Sequence, residues 1–468
     1  MPLNKSINKT VEEFKTMLRA NESFDLIYRT ININSRTTCF FFIDGLIKDA
    51  VMEKMLEFFY SLKDDEAFKD AHSFSKHCVP YIEVDITDDK EKICTNILSG
   101  MLVLMVDGFE QAIVIDVRTY PQRDTSEPST DKVLRGSRDG FVETLVSNTA
   151  LIRRRIRNPE LTMKIFSVGK LSKSDVVVSY MENKVDKKLL SDICDRIKNA
   201  KVNSLTMNQQ SLIEAIYHYK WYNPFPKIKH SERPDTAASA ILEGNIVILV
   251  DNSPSAIILP TSIFDILEEA DDYYFPPFTG TYLKLSRYII GLFTLIVTPL
   301  WLLLLQNPWM IPPWLQFITI TDQINLPILW QLLALELIID GLRLASLHTP
   351  DSITTTRSII AAIVLSDFAV QSGWFNAESM LYMAFVAMSN YAQPSIELGY
   401  CLKFFRVFLL ILTAILNIWG FVLGFIIMFL LMLSNKTVSG KHYLYPLIPF
   451  NGKKLLTKVL RTRAKVSE

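Results

Sequence analysis

Two hydrophobic rhythms divide this chain. Up to residue 284, apolar runs of a few residues alternate with amphipathic stretches. From Leu285 onward the apolar runs lengthen toward the roughly 20 residues that cross a bilayer. In the first part, 39–43 and 100–106 are short apolar runs suited to buried strands. Segment 112–117 continues as a hairpin partner across the Asp107-Gly108 turn. Between them, 49–60 and 89–98 read as helices. Segment 120–131, with Pro121 and Pro128 among charged and hydroxyl residues, reads as a linker. Beyond it, 163–168 and 175–181 alternate like paired strands, and 186–198 and 211–219 are amphipathic helices. A hairpin is expected from 240–250 and 256–259 across the turn string Asp251 to Pro254. The pattern predicts two α/β subdomains, 1–130 and 131–284.

Residues 135–157, RGSRDGFVETLVSNTALIRRRIR, open the second subdomain. Phe141, Leu145, Thr149, Ile152 and Ile156 recur at the spacing of one helix face, which predicts a helix over 139–156. Asp139 near its start and Arg153, Arg154, Arg155 and Arg157 at its end suit the macrodipole. Such a cluster could bind phosphates or make protein contacts. Residues 1–284 hold 41 acidic against 36 basic residues, and no aromatics interleave with the arginines, which weighs against nucleic acid. Arg135, Arg138, Arg153, Arg154 and Arg155 are therefore expected in contacts between subdomains or subunits.

In the second part, 285–305 is a predicted span with a kink at Pro299. The Pro- and Trp-rich 307–318 reads as an interfacial loop. Further spans are 327–347, carrying Glu336, Asp340 and Arg343, then 352–370, carrying Asp367, and 377–392. Segment 397–434 is too long for one span and is read as two helices broken near 417–420. Lys284 and Arg287, then Arg343 and Arg357, then Lys403 and Arg406, mark inside ends, while 306–326 and 371–378 hold no Lys or Arg. Six crossings with both termini cytoplasmic satisfy this pattern; five would expose the basic tail outside. The fold expected is an α/β cytoplasmic region of two subdomains, an α-helical polytopic membrane domain of five to six spans over 285–434, and a basic cytoplasmic tail over 435–468.

Charges inside spans usually face protein or water. Glu336 and Asp340 share a helix face with Arg343 one turn on, which fits either a structural ion pair or the lining of an aqueous path. In 352–370, Ser352, Thr355, Ile359, Ala362, Ser366 and Ala369 form a small and polar stripe. Helix packing would use such a stripe. A pore would too, closed by an apolar ring at Ile359 and Ile363 that gates by dewetting.

Composition narrows the classes. The 49 basic and 49 acidic residues balance overall, but residues 435–468 hold eight Lys/Arg against Glu468 alone. The first 15 residues lack an apolar core, so no cleavable signal peptide is expected. Cys39, Cys78, Cys94, Cys194 and Cys401 are scattered with no CxxC pair, which reads as free thiols in a reducing compartment and no zinc site. GxSxG, P-loop, HExxH and GxGxxG are all missing. No enzyme, catalytic residue, cofactor or metal is expected.

The segment PQRDTSEPSTDKVLRGSRDGFVETLVSNTALIRRRIRNPEL, with ESFDLIYR at 22–29, FFFIDGLIKD at 40–49, ERPDTAASAILEGNIVILVDNSPSAIILP at 232–260 and DDYY at 271–274, resembles the GerA-type spore germinant receptor A subunits. KWYNPFP at 220–226, LHTPDSITTT at 347–356 and NYAQPSIELGY at 390–400 resemble the stage V sporulation branch of that family. Where nutrient-receptor subunits carry a glycine-rich string early in the pore helix, this chain has Thr354-Thr355-Thr356-Arg357. The resemblance implies a multi-pass protein of the spore inner membrane, with its soluble domain and tail on the core side. It implies ring-like homo-oligomers, pentamers, that release monovalent cations during germination. It also implies a small membrane partner of the FigP type and co-operation with nutrient germinant receptors, whose signal is amplified. Two rivals stand beside the channel: a non-conducting scaffold that clusters receptors, and a nutrient receptor A subunit.

Overall fold

The computed structural model of the chain describes residues 3–34, 36–62, 68–120, 136–217, 221–348 and 367–461. The chain divides into two compact units. One comprises 1–219 and 228–260, the other 220–227 and 261–468.

The first unit holds two five-stranded antiparallel sheets. Strands β1 (Leu26–Ile33), β2 (Arg36–Ile43), β3 (Val84–Thr87), β4 (Leu102–Val106) and β5 (Ala112–Ile115) are ordered β1-β2-β4-β5-β3. Strands β6 (Leu161–Val168), β7 (Ser174–Met181), β8 (Lys229–Ser231), β9 (Ile246–Val250) and β10 (Ala256–Leu259) are ordered β6-β7-β9-β10-β8. The two orders are the same. The helices match as well: Ile7–Leu18, Asp49–Ser61, Ala71–Cys78 and Lys90–Leu98 in the first half take the chain positions that Leu145–Arg155, Lys187–Lys198, Asn208–Ile216 and Pro234–Leu242 take in the second. Each half is one helix–strand–strand–helix–helix–strand–helix–strand–strand unit, so the α/β region is a structural duplication.

Alternation builds each core. Phe41, Val103, Met105 and Val114 face the helices Ile7–Leu18 and Lys90–Leu98 through Phe14, Ile93 and Ile97. Phe40, Leu104, Ile113 and Ile115 face the other two helices through Phe59 and Phe74. With both faces covered, the central strands are continuously apolar rather than alternating. The Asp107-Gly108 turn forms as expected, with Gly108 at φ 88°. A Cβ there would stand 2.5 Å from the Arg36 guanidinium, which donates to the Asp107 carbonyl.

Two sequence expectations are corrected. The helix predicted over 139–156 is Leu145–Arg155 only. Asn148 holds the preceding strand-like turn by accepting from Val142 N and donating to Val142 O, while Phe141 N donates to Glu232 O. Tertiary hydrogen bonds thus win over helical spacing. The strand predicted to begin at 240 begins at Ile246. Residues up to Leu242 belong to a helix that Pro234 starts and that ends at Gly244, φ 98°.

The second unit is helical. Among the described residues, Pro277–Gln306 and Ile396–Ser434 are long and apolar enough to cross a membrane. Ile328–His348 and Ala377–Tyr391 accompany them. Inside Ile396–Ser434, Asn417 leaves the helical region (φ 53°, ψ −133°). A Cβ on Gly420 would lie 1.9 Å from the Leu412 carbonyl oxygen, whereas eight residues along one helix span about 12 Å. The segment therefore folds back as a helical hairpin at the expected break.

Candidate functional site: a buried charge cluster in the helical unit

Polar residues sort to the two ends of the helical unit. At one end, Asn307 and Asn417 exchange amide hydrogen bonds (2.5 and 3.2 Å). At that same end, Gln331 donates to Asn376 Oδ1 at 2.7 Å and Asn325 donates to Gly373 O at 3.2 Å. Lys and Arg are missing from this set. Trp309 and Trp314 are exposed there.

Toward the other end lies a cluster of opposite charges. Arg406 donates to Glu336 Oε1 through Nε at 2.6 Å and to the Thr294 carbonyl through Nη1 at 3.1 Å. The Lys403 ammonium bonds Asp340 and stands 3.6 Å from Glu336. Arg343 lies over the Tyr391 and Tyr400 rings, 5.8 and 4.6 Å from their centroids. Glu336, Lys403 and Arg406 are buried. Helical spacing places Glu336 and Asp340 one turn apart on the face that meets Lys403 and Arg406. A cavity of about 10 Å³, room for one water, sits among Glu336, Asp340, Arg343, Asn390, Lys403 and Arg406. Sequence reasoning used Lys403 and Arg406 only as an inside flank. Acids in one apolar helix and bases in another were the signal that could have paired them.

The pore-lining candidates Ser352, Thr355, Ile359, Ala362, Ile363 and Ser366 lie outside the described residues, as does Arg135. Asp367 begins the short helix Asp367–Gln371.

In the first unit the arginines occupy three different settings. Arg153 is buried and grips Asp25 bidentately, at 2.7 Å from Nε and 3.0 Å from Nη2. It also donates to Ser23 Oγ and Leu161 O. Ser23 in turn accepts from Met163 N, so the pair joins the entry to β1 to the start of β6. Arg154 lies 4.5 Å from the Tyr120 ring centroid. Arg155 donates to Asp139 Oδ2 and Ser137 Oγ. Asp139 thus meets the end of the helix instead of leading it. Arg233, which the sequence reading passed over, is buried, bidentate to Asp235, and bonded to Ser137 O at 2.9 Å.

A duplicated α/β unit is followed in the chain by a helical unit whose long apolar helices pair their own charges. This chain belongs to the GerA spore germination family, since the family model described as Bacillus/Clostridium GerA spore germination protein matches residues 12–468. It is 35% identical to stage V sporulation protein AF of Bacillus subtilis over 97% of this chain and 92% of that one. It is 26% identical to spore germination protein KA of the same organism, over 96% and 83%. The crystal structure of the N-terminal domain of the A subunit of the Bacillus megaterium spore germinant receptor GerK3 covers 55% of this chain and 96% of its own, with a TM-score of 0.41 and 23% identity.

Proposed function

We propose that the chain is a subunit of a homo-oligomeric ion channel, a pentamer, in the spore inner membrane. It releases monovalent cations during germination and amplifies the response of nutrient germinant receptors. The observation that carries this reading is the mutual neutralisation of the intramembrane charges. Glu336 and Asp340 are held by Lys403 and Arg406. Lining a water path then falls to the uncharged stripe Ser352, Thr355, Ala362 and Ser366, with Ile359 and Ile363 as its apolar constriction. The germination role is supported by family membership.

In this reading the helical unit crosses the membrane six times, and the Ile396–Ser434 hairpin supplies two crossings. The α/β unit and the tail lie on the core side. The α/β unit assembles the ring through surfaces that include Arg138 and Arg154. A small membrane partner of the FigP type and nutrient receptor complexes are its partners.

Ion release from vesicles containing the full chain tests this. Ile359→Ser or Ile363→Ser should wet the constriction and raise potassium release several-fold over the wild type. Release equal to that of empty vesicles from the wild type and both variants would leave the scaffold reading in its place.

A further inference from the structure

We propose that the C-terminal helix Gly452–Val459 lies in the headgroup layer of an anionic leaflet, with Lys453 and Lys454 on lipid phosphates. The sequence of this helix divides cleanly. At about 100° per residue, Lys453, Lys454, Thr457 and Lys458 fall on one side and Leu455, Leu456, Val459 and the following Leu460 on the other. Such a short amphipathic helix with lysines on its polar face suits a membrane surface.

Its apolar side is only partly covered by the described residues of the chain: Leu455, Val459 and Leu460 are half-buried. No residue of Gly452–Val459 is buried, Leu456 is 56% exposed, and the preceding turn presents Phe450 at 73%. Its place is nevertheless fixed. Lys458 Nζ binds Asp265 at 2.7 Å and Glu268 at 3.2 Å. Arg461 N donates to Thr281 Oγ1, and the Arg461 guanidinium donates to the Tyr273 carbonyl at 2.6 Å. These bonds seat the helix against the first turns of Pro277–Gln306, where the polar layer of a bilayer begins. Phe278 and Tyr282 are exposed in those turns, and aromatic side chains favour that depth.

Charge identifies the occupant. Asp265, Glu268, Glu269 and Asp272 are taken up by Lys284, Arg287 and Lys458. Lys453 and Lys454 are exposed at the surface, and residues 435–468 hold eight bases against one acid. A partly open apolar stripe flanked by exposed lysines complements acyl chains beneath phosphates. The inference rests on Pro277–Gln306 crossing a bilayer and not on ion conduction.

The full chain in nanodiscs of equal phosphatidylglycerol and phosphatidylcholine provides the test, with retained lipids counted by native mass spectrometry. The wild type should retain phosphatidylglycerol preferentially. Lys453→Gln with Lys454→Gln should cut that preference by about five-fold per lysine, since each surface lysine near an anionic leaflet contributes about 1 kcal/mol. No preference in the wild type, or an unchanged preference in the double variant, overturns the proposal. Leu456→Cys carrying a nitroxide gives an independent reading. The label should collide with oxygen more than with an aqueous nickel chelate. Aqueous exposure overturns the proposal, and so does burial that persists without lipid, which would put a second copy of the chain on this face.

Discussion

Arg406 and Glu336, 70 residues apart in the chain, form a buried ion pair between two helices, with 2.6 Å between Arg406 Nε and Glu336 Oε1. Arg406 spends its remaining reach on the Thr294 carbonyl of a third helix. One guanidinium therefore ties Pro277–Gln306, Ile328–His348 and Ile396–Ser434 together.

Removing one member of the pair should be costly. Glu336→Gln leaves Arg406 and Lys403 without their shared carboxylate, and breaking a buried pair costs about 3–5 kcal/mol. Glu336→Leu combined with Arg406→Met should cost less than Glu336→Gln alone, because no uncompensated charge remains. Thermal unfolding of the purified protein in detergent ranks the variants. Equal stability of wild type and Glu336→Gln would show that the pair holds nothing.

The arginine helix of the α/β unit makes a parallel case. Arg153→Leu strands Asp25 in the interior and should lower stability by about 3–5 kcal/mol. Arg154→Ala removes only a surface cation–π contact with Tyr120, worth about 0.5–1 kcal/mol. Urea titrations followed by hydrogen exchange of β1 and β6 should separate the two. A similar loss for both would mean that the Arg153–Asp25 bond is not the stronger tie.

The tip of the helical hairpin depends on its backbone. Asn417 adopts φ 53°, which glycine tolerates and most side chains do not, and its amide is paired with Asn307. Asn417→Leu should destabilise by about 1–3 kcal/mol from strain alone, whereas Asn417→Gly loses only the amide pair. Gly420→Val would drive a side chain into the Leu412 carbonyl and should open the hairpin. Disulfide trapping between cysteines at Leu409 and Gly424 reads the closure, which should fall for Gly420→Val and survive in Asn417→Gly.

Docking of the tail helix should depend on pH through Asp265. Burial raises its carboxyl, but the Lys458 ammonium and the Ser262 hydroxyl and amide outweigh burial and hold it below the ordinary carboxylate range. A depressed folded value means the contribution is complete at neutral pH. It is lost only as the pH falls through that lowered value. Protection of Gly452–Val459 against hydrogen exchange, corrected for the intrinsic pH dependence of amide exchange, should hold down to mildly acidic pH and fall below it. Lys458→Met should make exchange fast at every pH.

Much of the fold was legible because its signals are local. The apolar runs at β2, β4, β7, β9 and β10 and the capped helices after Asp89 and Asp186 are read from neighbouring residues. Strands β1, β3 and β8 were missed, since burial there is patchy, Tyr28, Arg29 and Thr30 break the pattern and β8 is three residues long. The duplication was invisible because the two halves share an order of elements and not a recognisable sequence repeat. Asp25 lies 128 residues from Arg153, and no spacing rule reaches that far. Lys403 and Arg406 were visible but explained too soon by the positive-inside pattern.

The most direct test of the channel reading is a single cysteine at Ile359, probed with a positively charged thiol reagent during planar-bilayer recording of the reconstituted protein. The background is favourable: all five native cysteines are buried, and burial pushes the Cys39 and Cys94 thiols up to about 11. The account predicts that Ile359→Cys passes cation current and that modification blocks it, while the wild-type current is untouched. Current that ignores modification at Ile359, or no current from either protein, would contradict it.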